Sequence, residues 1–249
     1  MIKRLFGSVL ILLLLLLAGS VHGEISSVNA SGIPNRPLSV DPTGKTEGFS
    51  AILYNNPNGL PTSEANAITE TEEGFIWIGS YAGLIRYDGN TFERFDSTTG
   101  IANVRCLLVD SRNRLWIGTN DSGVYLMTKG QLQSWDKGDG LQSSSIRAIE
   151  EDPDGNILVG SAAGMAVINP ELKMTDLNDE RIAQLTIKEI RRGTGSLLYG
   201  LTTTGDLFTL KDCIITSFIS SSELPAEGVL SILPDPENPG YLYLHRPPA

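Results

Sequence analysis

A short apolar phrase recurs along this chain, and the recurrence narrows the fold more than any other property. Gly74-Phe75-Ile76-Trp77-Ile78-Gly79 returns as Leu115-Trp116-Ile117-Gly118, then as Ile157-Leu158-Val159-Gly160, and more faintly as Leu197-Leu198-Tyr199-Gly200. The closing glycines stand about forty residues apart, and each phrase is a short strand followed by turn residues. A period near forty, made of strands and turns, specifies propeller blades rather than a helical solenoid.

Turn chemistry supports the alignment. Gly83, Gly123, Gly164 and Gly205 follow the four phrases closely, where a tight turn needs positive φ. Asp88-Gly89 and Lys129-Gly130 supply two-residue hairpins one strand later. An aromatic residue recurs in fourth strands at a constant distance before the next unit: Tyr54, Phe95, Trp135 and Phe218.

Four strands per unit are therefore predicted. In unit one they cover 67–71, 75–79, 84–87 and 91–95; in unit two, 105–110, 115–118, 124–128 and 132–135. Unit three has 147–152, 157–160, 165–168 and a weak 174–177; unit four has 188–192, 197–200, 207–210 and 214–218. A fifth unit shows only 229–233 and a strand at 241–244. The expected fold is all-β, a β-propeller of four-stranded blades with about four and a half repeats visible. A strand at 49–54 precedes any first strand, so it is expected to complete a last blade and close the ring. We expect the N-terminal part of a seven-bladed propeller, a self-contained five-bladed ring being the alternative.

Lys3 and Arg4 precede an unbroken apolar run from Val9 to Ala18, and small residues end at Val21-His22-Gly23. This is a signal-peptide pattern over 1–23, with Glu24 as the first mature residue. The apolar run is short for a membrane span of roughly 20 residues. Residues 24–48 are a lead-in segment without periodicity, and 49–249 carry the propeller repeats.

With 41% hydrophobic residues the chain can bury a core, and a net charge of −10 argues against nucleic-acid binding. Cys106 and Cys213 fall two blades apart on different strands and are read as buried small side chains, not a disulfide. After cleavage only His245 remains, too few ligands for a zinc site or a His-based triad. Asp152-Pro153-Asp154-Gly155 begins like a calcium loop, but the repeat places it at a first hairpin, where a turn-capping Asp accounts for it. No metal and no cofactor are expected. Trp77, Trp116, Trp135, Phe95, Tyr54 and Phe218 recur in register and are expected to pack between blades.

The polar recurrence points to a site. Asn66, Arg105 and Arg147 occupy equivalent positions at the starts of first strands. Those starts share a face with the loops between second and third strands, which carry Tyr81, Asn120, Asp121 and Thr203. Two arginines in register could offer forked donors to a carboxylate or to sugar hydroxyls; the alternative is that they pair with neighbouring acids.

Leu-Trp-Ile-Gly-Thr with an upstream Asp and a following glycine turn resembles the two-component regulator propeller repeat. The match is best over 110–125 and close over 74–89; unit three keeps Asp152, Gly155 and Gly160 but has Leu158 for Trp, and unit four keeps little beyond Gly200 and Gly205. The resemblance covers 49–244. It implies the extracytoplasmic sensor of a membrane-anchored signalling protein, in which two propellers and an immunoglobulin-like domain commonly precede a membrane helix. The output implied is a histidine kinase, sometimes fused to a response regulator, or a diguanylate cyclase. Partners implied are an environmental small molecule or oligosaccharide, the C-terminal continuation of the same protein, and a second copy in a homodimer. No catalysis is expected of this region. The alternatives are an exported carbohydrate-active propeller enzyme, which would need two carboxylates about 5–10 Å apart, and a passive protein-interaction scaffold.

Overall fold

Each repeated phrase alternates side chains between the two faces of a sheet, and both faces are apolar, so each sheet needs a neighbour on either side. A computed structural model of the chain describes residues 53–56, 59–62, 64–95, 99–224, 228–238 and 240–245. Two units, 1–60 and 61–249, separate by contact, and the strands lie in the second.

Blade 1 is β1 (Ala67–Glu70), β2 (Ile76–Ser80), β3 (Gly83–Tyr87) and β4 (Phe92–Phe95). Blade 2 is β5 (Val104–Val109), β6 (Leu115–Thr119), β7 (Val124–Thr128) and β8 (Gln131–Trp135). Blade 3 is β9 (Ile146–Glu151), β10 (Ile157–Ser161), β11 (Met165–Ile168) and β12 (Met174–Leu177). Blade 4 is β13 (Ile187–Arg192), β14 (Leu197–Thr202), β15 (Leu207–Lys211) and β16 (Ile214–Ile219). Every blade is an antiparallel meander in chain order, and β17 (Ser231–Pro234) pairs β18 (Leu242–His245) in a fifth. The fold is all-β, built of four-stranded propeller blades. The signal peptide over 1–23, the lead-in over 24–48 and most of the strand expected at 49–54 lie outside the described residues. Leu53 and Tyr54, at its end, have no regular secondary structure.

The core lies between blades. Trp77 of blade 1 packs with Val104, Leu115 and Ile117 of blade 2. Trp116 packs with Ile146, Ile149, Ile157 and Val159 of blade 3, and its ring stacks 5.6 Å from Trp135. Leu158 meets Ile187, Ile190 and Leu198 of blade 4. The closing glycines make this close approach possible. A Cβ on Gly79 would stand 2.5 Å from Val104 Cγ1, one on Gly118 would collide with Cys106 Sγ, and one on Gly160 would stand 2.7 Å from Ile187 Cγ2.

The fourth repeat departs from the sequence alignment by one residue. The residue after the anchor is a buried hydroxyl in Ser80, Thr119 and Ser161, and its partner in blade 4 is Thr202. Strand pairing agrees: Thr119, Ser161 and Thr202 stand opposite Val104, Ile146 and Ile187. Leu201, not Gly200, therefore holds the anchor position. Gly200 serves a local purpose, because a Cβ there would collide with the Phe208 ring. Tyr199 thus follows Trp77, Trp116 and Leu158, facing Val229 and Ile232 of blade 5.

Cys213 is also placed differently from expectation. It sits in the turn between β15 and β16 with φ 58, not on a strand, and its Sγ donates to Asp152 Oδ2 at 3.4 Å. Both cysteines are free and only half-buried.

Candidate functional site

First strands begin at one end of the blades and run to their first hairpins at the other. The two ends differ in chemistry. At the hairpin end, acids cap turns. Asp110 accepts from the N–H groups of Arg112 and Arg114, from Arg114 Nε at 2.7 Å and from Trp116 Nε1 at 2.8 Å. Asp152 accepts from the N–H groups of Asp154 and Asn156 and from Asn156 Nδ2, so its oxygens are occupied by its own hairpin. Glu151 reaches blade 2, accepting from the N–H and hydroxyl of Ser111. The carboxyl of Glu150 is pushed up by burial, against the pull of a main-chain hydrogen bond and the charges of Arg191 and Arg192.

At the opposite end, the mouth, a chain of hydrogen bonds crosses the blades. Asn103 N–H donates to Tyr81 O, Asn120 N–H to Asn103 O, and Ser145 Oγ to Asn120 Oδ1. It continues as Ala162 N–H donates to Ser145 O, Thr186 Oγ1 to Ala162 O, and Thr203 N–H to Thr186 O. This ladder fixes the loops on which most of the expected residues sit.

Arg105 Nη1 donates to the Tyr81 hydroxyl at 3.1 Å, with the guanidinium 5.9 Å from the ring centroid. Tyr81 is 53% exposed, so the pair faces solvent. Asp121 accepts from Asn103 Nδ2 at 2.9 Å and Asn120 Nδ2 at 2.7 Å, which orders the loop. Asn66 is taken up by structure: its Nδ2 donates to Val104 O at 2.9 Å, tying blade 1 to blade 2. Thr203 is exposed and joins only through its backbone. The Arg147 side chain makes no ion pair or hydrogen bond with another described residue, and Arg105 meets a phenol rather than an acid. Pairing with neighbouring acids, the other expectation for these arginines, is therefore not what the described residues show.

Strand register explains why these side chains project here. Val104 stands opposite Thr119 and Cys106 opposite Gly118, which leaves Arg105 as the extra residue of a β-bulge. Arg147 is the extra residue between Ile146 and Ala148. The same bulge in blade 4 falls between Ile187 and Glu189, on Lys188. Lys188 opens the strand expected at 188–192 but was not grouped with the arginines, because unit four has Gly193 where units two and three have Asp110 and Asp152. Gly193 N–H bonds Leu197 O as Asp110 N–H bonds Arg114 O, and that equivalence is the signal that finds it.

Neither thiol is poised to react. Burial pushes Cys106 up to about 12, outweighing the main-chain hydrogen bond at Gly118 and the charges of Arg105 and Arg147. Burial and the neighbouring Asp152 carboxylate push Cys213 to about 12. Among the described residues no group of His, Cys, Asp and Glu converges as metal ligands.

A fold of meandering four-stranded blades defines the class: a β-propeller fold. Residues 59–82, 100–121 and 140–163 match the two component regulator propeller family, so the chain carries that repeat in its first three blades. No curated relative matches the sequence. Among solved structures, the chain resembles two extracellular domains from B. thetaiotaomicron ascribed to hybrid two component systems. One shows 22% identity and TM-score 0.58 over 67% of this chain and 24% of that one; the other shows 23% identity and TM-score 0.58 over 70% and 26%. It also resembles a catalytically inactive virginiamycin B lyase from Staphylococcus aureus, solved with quinupristin, at 17% identity and TM-score 0.62 over 80% of this chain and 66% of that one. These likenesses are of fold. The chain spans about a quarter of the length of the extracellular domains it matches.

Proposed function

We propose that this region is the extracytoplasmic ligand-sensing propeller of a membrane-anchored signalling protein. Residues 1–23 export it, and the rest of the same protein carries a membrane span and a kinase or cyclase output. The observation that carries the reading is the mouth of the blades. Arg147 stands in register with Arg105, two residues from Ser145 of the cross-blade ladder, and its side chain has no hydrogen-bond or ion-pair partner among the described residues. Guanidinium groups without an acid partner suit carboxylate or hydroxyl groups of an oligosaccharide. The ring implied by the blades is completed by further repeats of the same protein or, in a homodimer, supported by a second copy.

The test is binding of an oligosaccharide mixture to the purified chain, followed by calorimetry on the fraction retained. Arg105→Ala and Arg147→Ala should each weaken binding about tenfold or more, the loss of one charge-assisted contact. Unchanged affinity in both variants would remove the mouth as the site.

A further inference from the structure

The bulge that aims Arg105 and Arg147 recurs once more, on Lys188, and it stops there. In blade 1 the pairing runs without a break from Ala67 opposite Gly79, and the equivalent residue is the neutral Asn66. In blade 5 the equivalent residue is Leu230, whose carbonyl accepts from Lys188 Nζ at 2.6 Å. The cations thus occupy three consecutive blades and are flanked by a neutral and an apolar residue. They stand in a chain whose net charge is −10, so their collection at one end is not a property of overall composition.

Two acids close to the cations are already engaged. Asp121 is held by two amide donors, from Asn103 and Asn120. Glu189, beside Lys188, turns toward blade 5, accepting from Ser231 Oγ at 3.1 Å and from Ile232 N–H at 3.2 Å. It also meets Arg191 at 3.6 Å. No described ion pair includes Arg105, Arg147 or Lys188.

We propose that Arg105, Arg147 and Lys188 form one row that takes an anionic oligosaccharide, a sugar chain bearing carboxylate or sulfate groups across blades 2 to 4. This rests on the sensor reading and narrows its ligand. The two guanidinium groups offer planar forks to successive acidic groups, and the ammonium adds a point charge at the end of the row. The Tyr81 ring, exposed beside Arg105, offers an apolar face to a sugar.

The experiment is calorimetric titration of the full chain with tetragalacturonate, sucrose octasulfate and neutral cellotetraose at two salt concentrations. We expect an anionic probe to bind, cellotetraose not to bind, and added salt to weaken the complex. Lys188→Glu should weaken binding at least tenfold, and Lys188→Met, which keeps the aliphatic stem, several-fold. Lys211→Glu, an exposed change elsewhere on blade 4, should leave binding unchanged. Which anionic probe binds identifies carboxylate or sulfate as the recognised group. Binding that ignores both Lys188 variants overturns the row, as does failure of both anionic probes. Cellotetraose bound in an Arg147-dependent, Lys188-independent manner would overturn the row and leave the sensor reading standing.

Discussion

The two ends of the inner strands use charge in opposite ways. At the hairpin end, Asp110 collects four donors, including the buried indole N–H of Trp116, and Asp152 collects three from its own hairpin and a thiol from blade 4. Asp235 repeats the device in blade 5, with Glu237, Asn238 and the Tyr243 hydroxyl as donors. At the mouth end, cations are aimed by bulges, and neighbouring acids bond elsewhere. One end is organised for stability, and the other is the end to which we assign binding. The contrast also separates residues whose loss should unfold the chain from those whose loss should only silence it.

The largest expected effect is at the hairpin end. Asp110→Ala would leave Arg114, Trp116 Nε1 and two hairpin N–H groups without their acceptor, and should cost about 3 kcal/mol in urea denaturation. A smaller gain is available in blade 1, where Thr71 replaces the capping Asp and buried Trp77 Nε1 has no partner among the described residues. Thr71→Asn would supply a neutral acceptor. We expect about 1 kcal/mol of added stability, read from the urea midpoint by tryptophan fluorescence.

Acid provides a third comparison. The side-chain hydrogen bond from Asn238 and the main-chain N–H of Glu237 hold Asp235 down at about 2. A carboxylate depressed in the folded state stabilises it above the unfolded value of 3.8, and that contribution fades as pH falls toward 2. Between those values blade 5 should loosen, measured as faster amide exchange at 231–245, and Asn238→Ala should move the onset to higher pH. The smallest effect belongs to the mouth: Arg147→Ala should change stability by less than about 0.5 kcal/mol while ligand affinity falls. A large stability loss in that variant would erase the distinction between the two ends.

Much of this organisation can be read from the residues. The recurring Gly79, Gly118 and Gly160 mark where the next blade must approach, and strand 174–177 of unit three is found where its weak pattern placed it. The register of blade 4 was obscured because Gly200 answers to Phe208 inside its own sheet, mimicking an anchor that is in fact Leu201. Strand bulges leave no compositional trace; Lys188 opens the strand expected at 188–192 as Arg105 and Arg147 open theirs, but only pairing shows that all three sit on the same bulge. The placement of Cys213 escaped for a related reason: its φ of 58 belongs to a turn that an apolar run does not announce. Sequence names Asn66 as a ligand donor, and the structure adds that its Nδ2 also donates to the neighbouring blade.

Tyr243 extends the comparison to blade 5. It continues the series Trp77, Trp116, Leu158 and Tyr199, each buried against the following blade, yet it is 60% exposed opposite Leu233, itself 64% exposed.

The most direct measurement is hydrogen exchange on the chain with and without a bound anionic oligosaccharide. We expect new protection at 102–106, 119–122, 145–148 and 186–189, with the hairpins at 71–75, 110–114 and 152–156 unchanged. Protection confined to the hairpin end would contradict the assignment of binding to the mouth.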